Sequence, residues 1–156
     1  MHMTPDRYDH AILDVLNTSA RAPVAAIAER VNLSASAVSR RIAALEKAGI
    51  IRAYTTIIDG DAIGLPMIVF VEVRLKSLSS SEFDAFERAV QAMPHITDCF
   101  LMSGNVDYLI RMRARDMAHF EQMHRNELAK LPGVERLTTR FGLRTVKVAG
   151  NRAPID

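Results

Sequence analysis

The sequence contains no tryptophan and a single cysteine, Cys99, among its 156 residues. One thiol excludes an internal disulfide framework and a cysteine-rich zinc site, and it fits a reducing compartment. Long apolar runs are also absent, because the most apolar stretch, residues 62–73, is interrupted by Gly64, Pro66 and Glu72. A membrane-spanning helix needs roughly 20 apolar residues. We therefore expect a cytoplasmic protein with no membrane partner.

The chain also lacks a large excess of either positive or negative charge. The chain has 20 Lys and Arg residues against 18 Asp and Glu residues, which gives a net charge of +2. Residues 1–52 hold seven basic and five acidic side chains, so 7 − 5 = +2 and the remainder balances at zero. Such a chain is not a polybasic tail that coats nucleic acid without sequence preference. Any contact with DNA must be local and is expected near the front.

Three helices are predicted in the first fifty residues. Apolar side chains recur at helical spacing over residues 6–18 and 23–31, and again after Ser34. Thr4 or Asp6 would cap the first helix, whereas Pro23 opens the second without a polar cap. Helix, helix, tight turn, helix is the order of a helix-turn-helix, whose final helix enters the major groove of DNA.

The third helix is the most informative segment of the chain. Ser34 is a suitable N-cap and Gly49 a suitable helix exit. The apolar stripe predicted between them consists of Val38, Ile42 and Leu45. The same periodicity leaves a short polar and basic face for solvent, made of Ser36, Ser39, Arg40, Glu46 and Lys47.

The second half of the chain alternates strands and helices. After a strand over residues 50–58 and a Gly- and Pro-containing linker, the pattern predicts strands at 67–76, 96–103, 106–113 and 134–148, with helices at 80–93 and 117–131. Only Gly104 and Asn105 separate the two central strands, which indicates a hairpin. The order βαββαβ is ferredoxin-like, and the fold class is therefore α+β. Apolar residues on both faces of the first strand predict a homodimer at least, because a monomer rarely exposes a large apolar sheet.

At this point the chain resembles the Lrp/AsnC family of bacterial and archaeal regulators. The matching front residues are Asp9, Ile12, Leu13, Leu33-Ser34, Val38, Arg41, Leu45, Gly49-Ile50 and Gly64. The matching back segments are Ser103-Gly104-Asn105-Val106-Asp107-Tyr108, Arg115-Asp116-Met117, Leu131-Pro132-Gly133-Val134 and Thr139. Departures from the family pattern are Ala22-Pro23, Leu137 and Arg140.

The resemblance implies three parts and a function. A winged helix-turn-helix domain spans residues 4–52, a strand and linker 53–66, and a ferredoxin-like effector-binding and oligomerisation domain 67–150. The function implied is sequence-specific transcription regulation through double-stranded DNA, by a homodimer that assembles to a tetramer or octamer. The candidate DNA-binding residues are Ser34, Ser36, Ser39, Arg40, Arg41 and Arg52. The alternative is a solvated helix face. Arg41 could instead brace the domain through a carboxylate such as Asp14, or contact the backbone.

A small-molecule effector, an amino acid or a related metabolite, is implied at a subunit interface. The candidate residues are Ser103, Gly104, Asp107, Tyr108, Met117, Thr139 and Arg140. Gly104 would let backbone amides approach a carboxylate, and Asp107 would pair with an α-ammonium group. The alternative is that a hairpin simply needs a glycine and a capping aspartate.

Catalytic groupings are poor, so no enzyme, cofactor or metal site is predicted. Glu121 and His124 share a helix face, but a di-metal site needs a second such pair. Cys99 is interpreted as a small core residue. Two other functions stay open: a tetrapyrrole enzyme similar to siroheme decarboxylases, to which His95 and scattered arginines give little support, and an architectural DNA binder without a ligand.

Overall fold

The computed structural model describes residues 3–146, and this part of the chain divides into two compact units between Ile57 and Ile58. The first unit contains three helices, α1 (Arg7–Thr18), α2 (Val24–Val31) and α3 (Ala35–Lys47). All three helix predictions are confirmed. Their shared core is formed by Ile12, Val15, Ile27, Ala28, Val31 and Val38.

Local signals in the sequence explain the helix ends. The Asp6 carboxylate accepts the backbone N–H groups of Tyr8 and Asp9, while the Asp9 carboxylate accepts the N–H of Asp6, which is a complete capping box. Asn32 adopts a left-handed conformation with φ of 55° and turns the chain from α2 toward α3. The Ser34 hydroxyl then accepts the N–H of Ala37, as an N-cap does.

The exit from α3 uses the glycine that the sequence indicated. Gly49 has φ of +73°, a conformation that costs a residue with a Cβ atom more than it costs glycine. Its N–H bonds the carbonyl of Glu46, and the N–H of Ile50 bonds that of Leu45. This pair of bonds is a Schellman motif, which satisfies the last helical carbonyls.

The prediction of a strand over residues 50–58 is wrong. Residues 52–59 have no regular secondary structure. The β-branched side chains of Thr55, Thr56, Ile57 and Ile58 favour an extended backbone, but a strand also needs a neighbour to pair its N–H and C=O groups. None of the four described strands pairs with this segment.

The second unit is an antiparallel sheet with two helices on one face. The strands are β1 (Met67–Leu75), β2 (Ile96–Leu101), β3 (Tyr108–Ala114) and β4 (Val134–Gly142), in the order β2-β3-β1-β4, and the helices are α4 (Ser80–Gln91) and α5 (Met117–Asn126). This topology confirms the ferredoxin-like prediction. The buried core between sheet and helices includes Val69, Val71, Val73, Phe86, Tyr108, Ile110, Met112 and Leu128.

Three predicted boundaries need correction. The two central strands are joined by residues 102–107 rather than by two residues, because the N–H of Met102 bonds the carbonyl of Asp107 and closes a wider turn. Helix α5 ends at Asn126, since Glu127 leaves helical geometry (φ −120°, ψ −67°) before a 3-10 turn. Strand β4 ends at Gly142, and residues 147–148 of the predicted strand lie outside the described residues. Within residues 3–146, no helix has the length and apolar character needed to cross a membrane.

Candidate DNA interface and effector site

The polar face predicted for α3 is present. Val38 and Leu45 are fully buried, whereas Ser36, Ser39 and Arg40 are exposed. Ser34 lies at the start of the same helix, and its hydroxyl is also 3.1 Å from that of Ser36. Arg52 is exposed beyond the helix end, in a segment without regular structure. Four of the six candidate DNA-binding residues therefore lie on or at the start of one exposed helix face.

Arg41 behaves differently from its neighbour Arg40. Its Nη1 atom lies 2.8 Å from Oδ1 of Asp9 and 2.9 Å from Oδ2 of Asp6, both in α1 or its cap. The Asp9 side chain is only 3% exposed. The hydrogen bond to Asp9, together with the one to Asp6, raises the pKa of Arg41 above its usual value despite partial burial. Arg41 therefore joins α3 to α1, which is the bracing alternative, although the partners are Asp6 and Asp9 rather than Asp14.

Two tyrosines add contacts that the sequence analysis missed. The guanidinium of Arg41 lies 5.4 Å from the Tyr8 ring centroid, and that of Arg7 lies 4.6 Å from it. The Tyr54 hydroxyl donates to Glu46 over 2.8 Å, and partial burial together with this bond raises the pKa of Tyr54 to about 12. The carboxylate of Glu46, on the exposed side of α3, is therefore held by a phenol.

In the second unit, the turn over residues 102–107 is open on the side of Gly104. This residue has φ of +116°, and nothing would lie within 4 Å of a Cβ atom added to it. Asp107 anchors the turn: its Oδ2 accepts the N–H of Leu75 over 2.8 Å, and its own N–H donates to the carbonyl of Val73 over 2.9 Å. Asp107 thus stabilises the turn whether or not a ligand is bound.

Tyr108 does not face the surface of this turn. Its ring is buried against α4, with centroid distances of 4.5 Å to Phe86 and 5.9 Å to Phe83. Its hydroxyl donates to Glu87 over 2.7 Å. Burial, followed by the Glu87 carboxylate, raises the pKa of Tyr108 above its usual value. The side chain belongs to the core between sheet and α4.

The remaining effector candidates do not meet within one subunit. Met117 follows the far end of β3, about 20 Å from the turn at the rise of an antiparallel strand. Thr139 is paired with Val71 and so lies on the helix-covered face, whereas Arg140 lies on the other face. The Arg140 guanidinium binds Glu72, with Nε 2.6 Å from Oε1 and Nη2 3.3 Å from Oε2. This pairing lowers the pKa of Glu72.

The sheet face without helices, hereafter the open face, mixes apolar and charged side chains. Strand register places on it Ile68, Phe70, Glu72, Asp98, Phe100, Leu109, Arg111, Arg113 and Arg140. Charges are paired on this face, for example Arg111 with Asp98 at 2.6 Å and Arg140 with Glu72. Phe100 is 53% exposed. The open face therefore retains exposed apolar area between neutralised charges.

Arg113 attaches the preceding linker to the open face. Its Nη1 atom donates to the carbonyl of Leu65 over 2.9 Å and lies 3.6 Å from Oδ1 of Asp61. Gly60 is buried at this place, and a Cβ atom added to it would lie 1.9 Å from Nη1 of Arg113. The absence of a side chain at Gly60 is thus what allows the guanidinium to reach the linker.

The side chains considered for metal binding or catalysis contact their near neighbours in the structure. Glu121 pairs with Arg125 in α5, and the rings of His95 and His119 are 6.0 Å apart. Across residues 3–146, no three His, Cys, Asp or Glu side chains are arranged to hold a metal ion. Cys99 packs against the core, and burial, with a smaller effect of the Glu87 carboxylate, raises its pKa to about 11.

Comparison with protein families matches both units. Residues 5–52 match the model of a winged helix-turn-helix DNA-binding domain, and residues 68–151 match the Lrp/AsnC ligand-binding domain. The chain belongs to the Lrp/AsnC family. Membership of this family confirms the predicted fold class, in which a helix-turn-helix domain is followed by a ferredoxin-like domain.

Relatives from several bacteria support this assignment. The chain is 32% identical to the proline dehydrogenase transcriptional activator of Rhodobacter capsulatus over 141 residues, which cover 90% of this chain and 92% of that protein. It is 33% identical to the leucine-responsive regulatory protein of Escherichia coli over 142 residues, which cover 91% and 87% of the two chains. A transcriptional regulator from Neisseria meningitidis, solved as an L-Met complex, superposes with a TM-score of 0.92 at 29% identity and 98% coverage of both chains.

These findings establish the class of protein. This Lrp/AsnC chain is a DNA-binding transcription regulator and not an enzyme. The comparisons support the regulator and lend no support to the tetrapyrrole enzyme considered from the sequence.

Proposed function

We propose that this Lrp/AsnC protein works in the cytoplasm as a homo-oligomer that binds double-stranded DNA through α3 and responds to an amino acid bound between subunits. We assign DNA binding to residues 4–52, the linker to 53–66, and effector binding and oligomerisation to 67–150, of which 147–150 lie outside the described residues. The observation that carries the DNA-binding part is the exposed outer face of α3, with Arg40 free of carboxylate partners among the described residues.

On DNA, α3 would enter the major groove with its N-terminal half. Hydroxyl groups of Ser34, Ser36 and Ser39 suit phosphate oxygens, and Arg52 suits a phosphate beyond the helix end. A two-fold dimer would present two such helices about 34 Å apart, one helical turn of DNA, so the operator would be a near-palindrome. Arg41 contributes by holding α3 against α1 through Asp9.

The open face supports dimer formation. Interfaces have an apolar core and a polar, solvent-accessible rim. Phe100, 53% exposed in the subunit, is the side chain that a partner sheet would cover. The test is sedimentation equilibrium of Phe100→Lys beside Leu78→Lys, since Leu78 is 65% exposed but lies outside the sheet. We expect only F100K to shift the protein toward monomer, and equal assembly of both variants would reject this interface.

The effector part rests on the turn over residues 102–107. Its glycine leaves room for a ligand carboxylate, and Asp107 Oδ1 is the atom assigned to an ammonium group, Oδ2 being bonded to Leu75. Met117 lies at the far end of β3 from this turn, so a site that combines the two takes Met117 from a second copy. Thr139 and Arg140 face opposite sides of the sheet, so we propose that at most one of them contributes to the same site within a subunit. Tyr108, whose hydroxyl is bonded to Glu87 in the core, is left out of the proposed site.

DNA binding is tested by selection from a random duplex library, followed by gel-shift titration of the winner and of a scrambled duplex at several salt concentrations. We expect at least a 1,000-fold preference for the selected duplex, as is typical of specific DNA binders. Affinity should also fall with salt, because phosphate contacts release counterions. Equal affinity for both duplexes would reject sequence-specific regulation.

Effector binding is tested by thermal shift with the common amino acids, on wild type, Asp107→Asn and Asp84→Asn. Asparagine keeps an acceptor for the Leu75 N–H but removes the charge, and Asp84 is an exposed aspartate of α4. A ligand that binds only the folded state raises Tm. We expect at least one amino acid to stabilise wild type and D84N, with the shift lost in D107N. No shift in wild type would favour ligand-independent DNA binding, and a full shift in D107N would remove Asp107 from the site.

A further inference from the structure

The two adjacent arginines of α3 occupy different environments. At 3.6 residues per turn, Ser36, Arg40, Ala43 and Lys47 lie within about 60° of one another around the helix axis. All four are exposed, and this ridge lies opposite the buried Val38 and Leu45. One step along the chain, about 100° around the axis, Arg41 turns toward α1.

Arg40 and Lys47 are the two long side chains of the ridge, and within residues 3–146 neither makes an ion pair. The residues three and four positions away are Ser36, Ala37, Ala43 and Ala44, none of which carries a charge. Within residues 3–146, Arg40 makes no ion pair, whereas Glu46, the acidic residue of α3, is held by Tyr54. The guanidinium is therefore free to meet a ligand without first breaking a bond within the protein.

The neighbours of Arg40 on the ridge are small. Ser36 and Ala43 flank it by one turn on either side. Small flanking side chains let the helix axis approach the floor of the major groove, where a guanine presents two acceptors, N7 and O6. A planar guanidinium matches these acceptors with two parallel N–H donors. Lys47, a point charge at the far end of the helix, suits a phosphate.

We propose that Arg40 is the specificity-determining residue of α3 and reads one guanine in each half-site, while Arg41 reads no base and acts only as a positioning residue through Asp9. This inference rests on the proposed DNA-binding function. It gives different roles to two adjacent arginines that were both candidate DNA-binding residues.

The experiment uses the full-length protein and the variants Arg40→Met and Arg41→Met, each checked for helix content by circular dichroism at a low temperature. Duplex selection is run on all three. We expect wild type and R41M to select the same guanine, and R40M to lose preference at that base pair alone, by roughly 5- to 150-fold, the range for one bidentate base contact.

An atomic control removes one acceptor from the DNA instead. Replacing the selected guanine with 7-deazaguanine deletes N7 and keeps base pairing. We expect this change to weaken wild type and R41M severalfold and to leave R40M unaffected. If R40M keeps the wild-type consensus, or responds to 7-deazaguanine as wild type does, Arg40 is not the reader. If folded R41M loses the guanine while R40M keeps it, the assignment is reversed. Absence of any selected sequence with wild type rejects the proposed function itself.

Discussion

Breaking the Arg41–Asp9 pair should destabilise the first unit more than removing any exposed arginine of α3. The Asp9 side chain is 3% exposed and the Arg41 side chain 28% exposed. Hydrogen bonds to charged groups contribute about 1.5–3 kcal/mol. Because Arg41 is still partly solvated, we take about 2 kcal/mol for Arg41→Met, which leaves the Asp9 carboxylate buried with only the N–H of Asp6.

A double-mutant cycle isolates the pair. Asp9→Asn keeps an acceptor for the capping bond to Asp6 and removes the charge, so we again expect a loss of about 2 kcal/mol. If the two side chains act as one unit, the double variant loses about 2.5 kcal/mol rather than the sum of about 4 kcal/mol, a coupling of about 1.5 kcal/mol. Arg40→Met is the matched control, with an expected change within about 0.5 kcal/mol.

The assay is amide hydrogen exchange of peptides that cover α3, which measures opening of this helix without assuming that both units unfold together. A loss of about 2 kcal/mol corresponds to roughly 30-fold faster exchange, at tenfold per 1.4 kcal/mol. Additive effects of D9N and R41M, or an R41M effect equal to that of R40M, would refute the reasoning.

Three further predictions concern the second unit. Tyr108→Phe should cost about 1 kcal/mol in urea unfolding, because the Glu87 bond is lost while the ring keeps its packing, and amino-acid thermal shifts should be unchanged. Arg140→Met should raise the pKa of Glu72, measured by carboxyl NMR. Because this pKa is lowered in the folded protein, the ion pair stabilises the fold at pH values above the usual pKa of 4.5, and its contribution is lost as the pH falls below that value. R140M should abolish this part of the pH dependence of stability. Gly60→Ala and Arg113→Met should each lower the free energy of unfolding by about 1 kcal/mol, and the double variant should lose no more than either single variant. The reason is that both changes remove the same guanidinium bond to the carbonyl of Leu65, so fully additive losses would refute the shared contact.

Signals confined to a few neighbouring residues were sufficient to predict the helices. Ser34 and Gly49 each act on N–H or C=O groups within a turn of their own position, so their roles in α3 could be predicted before the fold was known. The partner of Arg41 could not. Asp6, Asp9 and Asp14 all precede it by some thirty residues, and only the packing of α1 against α3 decides which carboxylate lies beside the guanidinium.

The strand predicted over residues 50–58 failed for a related reason. Its side chains carry the propensity, but pairing depends on a second segment that the pattern does not specify. For the effector candidates, by contrast, a usable signal was present. Thr139 and Arg140 are consecutive in a strand and must face opposite sides of the sheet. Tyr108 shares the parity of Ile110 and Met112, which places it with the core.

Because Arg40 is assigned to base recognition and Arg41 to the stability of the first unit, the temperature dependence of DNA binding should differ between R40M and R41M. A protein that binds only when folded shows an apparent Kd equal to the intrinsic Kd divided by the folded fraction. R41M should therefore bind as wild type does at low temperature and lose affinity, equally for all duplexes, only when heating begins to unfold the first unit. R40M should show the opposite pattern, with reduced discrimination at every temperature and an unchanged midpoint of thermal unfolding. One helical step of about 100° turns the first side chain outward and the second inward, and this geometry predicts that the two defects occur separately.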